Sequence, residues 1–169
     1  ESWLDLTGSL HLFGGDAASL ADRLRDRLRR ELGLTISVGV SFNKVFAKLG
    51  SDYKKPDATT VIARENWKSI FWPLPVGDLV YVGGAAQKLL AQYGVKTIGQ
   101  LAACKRETLE TLMGKMGDQL YEYANGLDSA PVRSRLDAEP VKSIGNGTTF
   151  PENLTTRTQV QSGIAVLAD

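Results

Sequence analysis

The sequence is poor in the residues that make chemistry easy to read. Of its 169 residues one is cysteine, Cys104, and one is histidine, His11. A lone cysteine excludes an internal disulfide and points to a reduced, intracellular, cytoplasmic protein. A lone histidine gives histidine-based metal sites and Ser-His-Asp triads nothing to build on. No apolar run approaches the ~18 residues a membrane span needs, so no membrane partner is expected. The formal net charge is only +1, which denies the chain the overall positive field of a strong nucleic-acid binder. Any such contact must come from local placement of lysines, arginines and backbone amides. The start carries no basic stretch followed by an apolar core. It opens Glu1-Ser2-Trp3 in what reads as the middle of a strand, so a cut end is expected.

What is present is ordinary globular material, with 43% hydrophobic and 23% charged residues, enough for one domain or two small ones. Three regions emerge. Residues 1–72 alternate strand and helix signals. Ser2-Trp3-Leu4-Asp5-Leu6 alternates polar and apolar side chains as a half-buried strand does. Asp16 is placed to cap a helix to about Leu32, with Leu20, Leu24, Leu28 and Leu32 on its apolar stripe. Arg23, Arg25, Arg27, Arg29 and Arg30 fall on its other faces and read as a solvated back. Gly33 ends it. Thr35 to Val40 predicts a strand, Asn43 to Tyr53 a helix stopped by Pro56, Thr59 to Ile62 a strand and Glu65 to Phe71 a short helix. Residues 73–127 predict short helices broken by glycines, a small all-α domain. Residues 128–141 read as a linker with Pro131 and Pro140. In 142–169, Val141 to Phe150 predicts a strand and Thr156 to Leu167 a helix with Val160, Ile164 and Leu167 on one side. The expected fold class is α+β: sheet with packed helices, then helical, then an incomplete α/β element.

The most informative stretch runs from Ser41 to Pro56, Ser-Phe-Asn-Lys-Val-Phe-Ala-Lys-Leu-Gly-Ser-Asp-Tyr-Lys-Lys-Pro. Lys44 and Lys48 share a helix face by their i,i+4 spacing. Lys55 is restrained because the following proline biases it away from helix. By spacing alone these lysines also suit the exposed side of an amphipathic helix. The pattern Ser-x-Asn-Lys-x-x-Ala-Lys-x-x-Ser-Asp-x-x-Lys-Pro, however, resembles the palm signature of Y-family (translesion) DNA polymerases, with Gly50 where those enzymes often have alanine. Residues 1–9 resemble the strand that follows that family's catalytic Asp-Glu pair, with Glu1 as the second member.

The resemblance implies an enzyme that adds deoxynucleotides to a primer with two Mg2+ ions. In it Glu1 is a catalytic metal ligand, Lys55 contacts the triphosphate of the incoming dNTP, and Asp52 lies beside that site. The partner aspartate, the earlier metal-binding aspartate and the fingers are absent from this sequence. The parent is therefore expected to catalyse and the piece to be inactive.

Residues 74–102 resemble the thumb's helix-hairpin-helix, which grips DNA through backbone amides without reading sequence. Val82, Gly83 and Gly84 are its candidate phosphate contacts. There is a departure: the usual Gly-Val-Gly with a following basic residue is here Tyr81-Val82-Gly83, then Gly84-Ala85-Ala86. Gly114, Lys115 and Gly117 form a second such turn. Residues 142–150 resemble the first strand of the little-finger domain, with Lys142 and Ser143 as candidate DNA contacts. Primer-template DNA is the implied partner, and a sliding clamp is possible through a C-terminal region not in this sequence. Trp67 and Trp72 are expected to pack where palm meets thumb. Two other readings stay open: a non-catalytic, sequence-independent DNA-binding module, and a scaffold that has lost catalysis.

Overall fold

A computed structural model describes residues 1–134 and 143–168. The chain divides into two compact units, Glu1–Val132 and Arg133–Asp169. In the first unit, α1 (Ala17–Leu32) starts where the Asp16 carboxylate accepts from the Ala18 and Ser19 amides, and it ends at Gly33 in the left-handed conformation. Strand β1 (Val38–Ser41) leads through α2 (Lys44–Tyr53) to β2 (Thr59–Ile62). The two strands pair in parallel, Val38 opposite Thr59 through Ser41 opposite Ile62. Parallel neighbours need a crossover connection, and α2 supplies it. A Cβ on Gly39 would lie 1.8 Å from the Ala47 carbonyl oxygen, so helix and strand meet backbone to backbone at a residue with no side chain.

Helix α3 (Trp67–Phe71) leads into four short helices: α4 (Gly84–Gln92), α5 (Ile98–Ala102), α6 (Arg106–Met113) and α7 (Lys115–Ala124). The expectation of a mixed α+β fold, a small sheet with helices and then a helical region, is met. Backbone hydrogen bonds Val76 N to Lys96 O (2.8 Å) and Ile98 N to Leu74 O (3.0 Å) tie the entry to α5 against the chain before α4. Thr97 and Gln100 form a reciprocal capping box at the start of α5. One core runs through the unit. Phe46, Phe71, Leu90, Ile98, Leu101 and Leu120 are fully buried within a single cluster. Trp67 packs on Phe46 with ring centroids 4.9 Å apart, and Trp72 donates from Nε1 to the Ala124 carbonyl at 3.2 Å. Both tryptophans are therefore packing residues joining α2 and α3 to α7.

Three predicted strands need correction. Residues 2–6 form no strand, because no neighbouring backbone pairs with them. They line, with α1 and β1, an open cavity of about 820 Å³, and Trp3 is tethered by a hydrogen bond to the Lys44 carbonyl. That cavity also explains why Leu20, Leu24 and Leu28 are only half-buried, while Leu32 at the helix end is exposed. The strand predicted for 35–40 begins three residues later, at Val38, where β2 becomes available. In the second unit residues 143–150 form no strand, and Val141 and Lys142 lie outside the described residues. Helix α8 (Arg157–Ala168) is present, with Thr156 and Gln159 exchanging capping bonds. Its packed face centres on Gly163 against Phe150 and Leu154, whereas Val160 and Ile164 are exposed. The apolar positions read from the sequence lie to either side of that contact.

Candidate functional site

The site is built on α2. Asn43 caps the helix by accepting from the Phe46 amide at 2.8 Å, and its Nδ2 donates to the Gly126 carbonyl at 3.4 Å. The two lysines one turn apart then diverge in role. Lys44 donates to the Pro131 carbonyl at 3.0 Å, an anchoring contact. Lys48 places its ammonium between two carboxylates, 2.9 Å from Glu1 Oε2 and 3.1 Å from Asp52 Oδ2. The other oxygen of Asp52 pairs with Lys55.

Glu1, Lys48, Asp52 and Lys55 thus form a chain of alternating charge. It runs along the exposed side of α2 to the turn that follows. The hydrogen bond to Glu1 holds the Lys48 ammonium above the ordinary lysine range; burial opposes this, and Asp52 adds to it. Burial alone would raise Asp52, but hydrogen bonds and charge from Lys55 and Lys48 outweigh it and hold the carboxyl below its ordinary range. The Lys55 side chain remains 57% exposed, so its ammonium is available to an anion that competes with Asp52.

The structure brings together three residues singled out from sequence, Glu1, Asp52 and Lys55. It adds Lys48, whose spacing was visible but whose bridging was not. Among the described residues no group of three or more His, Cys, Asp or Glu side chains could hold a metal ion. Glu1 and Asp52 are each engaged with an ammonium. These residues alone do not fit a pair of divalent cations.

The candidate DNA contacts separate by burial. Gly83 caps α4, Gly84 begins it, and a Cβ at either would meet nothing within 4 Å, so their backbone faces open space. Val82 points the other way: it is buried in the core, its amide donates to Leu79 O, and its carbonyl accepts from Gln87. Tyr81, standing where the resemblance leads one to expect glycine, keeps the left-handed backbone with φ 70°. Its ring stacks on Tyr123 with centroids 6.0 Å apart. Tyr81 thus holds a backbone conformation that favours glycine. In the second turn Gly114 (φ 61°) and Lys115 are exposed, while Gly117 is buried against Leu109. Ser143 is exposed in the second unit, and Lys142 lies outside the described residues.

Comparison with known proteins resolves what family this geometry serves. Residues 1–52 match the impB/mucB/samB family, and residues 77–128 match the thumb domain of DNA polymerase iota. DNA polymerase IV of Acetivibrio thermocellus is 50% identical over 169 residues, all of this chain and 42% of that protein. DNA polymerase IV 1 of Bacillus subtilis is 38% identical over 150 residues, 89% of this chain and 36% of that protein. The chain belongs to the Y-family DNA polymerases. It spans well under half the length of these curated relatives. Two solved structures share its fold: a Y-family DNA polymerase chimera (TM-score 0.67, 24% identity, 78% of this chain and 39% of that one) and DinB from Sulfolobus solfataricus (TM-score 0.66, 24% identity, 76% and 38%). For this Y-family chain the thumb match takes in both glycine turns, at 81–84 and 114–117. The palm-side match takes in Glu1, Lys48 and Asp52 and stops before Lys55. No helix among the described residues is long and apolar enough to cross a membrane.

Proposed function

We propose that this chain is the palm-side and thumb part of a template-directed, lesion-bypass DNA polymerase. In this reading residues 1–72 carry one side of the nucleotide site, 73–127 are the thumb, 128–141 a linker and 142–169 the start of the little-finger domain. The observation that carries it is the Glu1–Lys48–Asp52–Lys55 chain on the exposed side of α2, within a chain of this family. An incoming triphosphate offers more charge than Asp52, so Lys55 transfers from the carboxylate to the phosphates. Asp52 keeps the ammonium aimed until then. Were Mg2+ bound in the whole polymerase, Glu1 would supply one of its ligands, and further carboxylates would be needed to complete the site. The exposed amides at Gly83 and Gly84, and the exposed turn at Gly114 with Lys115, hold the duplex backbone, and Ser143 and Lys142 follow along it. A sliding clamp would engage a region beyond residue 169.

Two measurements test this reading. In a polymerase that contains this segment, Lys55→Ala raises the KM for the incoming dNTP; an unchanged KM removes Lys55 from the site. The 169-residue chain alone binds primer-template duplex weakly, with affinity that falls steeply with salt and ignores sequence, and extends no primer. Extension by the chain alone would show that one carboxylate suffices. Absence of binding at low salt would show that the thumb turns do not grip DNA.

A further inference from the structure

Lys55 stands on a short irregular turn, residues 54–58, between α2 and β2. Two residues on, Asp57 has φ 52°, a conformation few non-glycine residues adopt. What holds this turn comes from a distant element. Arg25, in the middle of α1, donates from Nη2 to Asp57 Oδ1 at 2.8 Å and also to the Asp57 backbone carbonyl. Arg29, one turn further along α1, pairs with Asp57 Oδ2. The other arm of Arg25 donates to Asp22 Oδ1 at 3.0 Å and to the Thr59 hydroxyl at 3.3 Å, and that hydroxyl donates to Asp22 at 2.6 Å. One guanidinium thus joins α1, the turn and the first residue of β2.

Two other arginines of α1 behave differently. Arg27 and Arg30 pair with Glu31 and Asp26 on their own helix, with side chains 70% and 71% exposed, whereas the Arg25 side chain is 16% exposed. The planar fork of arginine suits a carboxylate and a carbonyl on one turn, which a lysine point charge cannot span. Between Asp57 and Lys55 lies only Pro56, so fixing Asp57 limits where the Lys55 ammonium can go.

We propose that Arg25, supported by Arg29, is a positioning residue for nucleotide binding: it clamps Asp57 and thereby holds Lys55 at the Asp52 end of α2. This rests on the assignment of Lys55 to the triphosphate, and the test separates the two. In a polymerase containing this segment, single-nucleotide insertion is measured for Lys55→Ala, Arg25→Gln, Arg25→Lys and the Arg25→Gln/Lys55→Ala double variant. Arg25→Gln is expected to raise the dNTP KM about 5- to 20-fold with kcat changed less than about twofold, and Arg25→Lys to recover little. The double variant should be no worse than Lys55→Ala, because both act through one ammonium. In the 169-residue chain, Arg25→Gln should selectively speed hydrogen exchange of the Val38 amide, which donates to the Ala58 carbonyl of this turn at 2.8 Å.

A raised KM in Lys55→Ala with an unchanged KM in Arg25→Gln overturns the clamp and leaves the Lys55 assignment standing. Fully additive losses in the double variant overturn it equally. An unchanged KM in Lys55→Ala removes both. If Arg25→Gln loses its thermal transition, Asp57→Asn replaces it, since asparagine tolerates the left-handed backbone while dropping the charge. The KM must then rise in Asp57→Asn for the clamp to survive.

Discussion

At the scale of single residues, two glycines that face each other across the α2–β1 contact have opposite meanings. Gly50 stands inside α2, and a Cβ there would meet Gly39 Cα and Ile62 Cγ1 at 3.4 Å, ordinary contact. Glycine inside a helix costs roughly 0.5–1 kcal/mol relative to alanine. Gly50→Ala should therefore raise the melting temperature by about 2 °C, read by circular dichroism. At Gly39 the new Cβ would sit 1.8 Å from the Ala47 carbonyl oxygen, which is backbone and cannot swing aside. Gly39→Ala should cost roughly 3 kcal/mol or more. A neutral Gly39→Ala would mean that α2 is not seated on β1 as described.

The charge chain adds a pH prediction. Asp52 titrates below its ordinary value when folded, so its contribution is present above ~4 and is lost as pH falls through the folded value. Lys48 titrates above its ordinary value, so its contribution is present below ~10.4 and is lost as pH rises through the folded value. Between those limits Asp52→Asn should lower stability by a fraction of ~1 kcal/mol, as half-exposed pairs do. The difference between wild type and variant should shrink as pH falls through the folded value of Asp52. A difference that persists below it belongs to packing instead. Sequence reading named Glu1, Asp52 and Lys55 from a contiguous pattern and a resemblance. It took Arg25 for a solvated residue, because the partner 32 positions away is joined to it only by tertiary structure.

At the scale of elements, the helices were far more legible than the strands. Caps and stops sit in the local sequence: Asp16 and Gly33 bound α1, and Asn43 begins α2. A strand depends on a neighbour, and the alternation in Ser2–Leu6 found none among the described residues. The α6–α7 hairpin shows how a glycine-rich turn divides its labour, which sequence alone presented as one motif. Gly114 adopts φ 61° and ψ −143°, open only to glycine, and turns the chain at an exposed position. Gly117 is inside, where a Cβ would lie 1.9 Å from the Leu109 carbonyl oxygen. Gly117→Ala should thus unseat α7 from α6 and cost roughly 3 kcal/mol or more. Lys115→Ala at the exposed turn should leave the melting temperature within about 1 °C while weakening duplex binding and reducing its salt slope by about one. An equal loss of stability in both variants would show that the turn is only structural.

At the scale of the whole molecule, the distribution of buried residues assigns stability almost entirely to the first unit. Its core cluster runs from Val45 to Ala124 without leaving Glu1–Val132. The large aromatic side chains Phe46, Phe71 and Trp67 all lie within it. In the second unit the described packing is Gly163 against Phe150 and Leu154, with Ile144, Ile164 and Val166 exposed. A segment of fewer than ~40 residues without disulfide or metal rarely supports a fold of its own. A chain ending at Val132 should therefore keep a single cooperative thermal transition, with the near-ultraviolet signal of Trp67 and Trp72 intact. Residues 133–169 made as a peptide should melt without cooperativity, its helix content falling gradually with temperature as α8 frays. If the 133–169 peptide instead melts sharply, the second unit has a core larger than Gly163 and its two neighbours. If the Val132 chain loses its transition, the cluster from Val45 to Ala124 is not self-sufficient. Either result would change which part of this segment must be kept intact when duplex binding is tested.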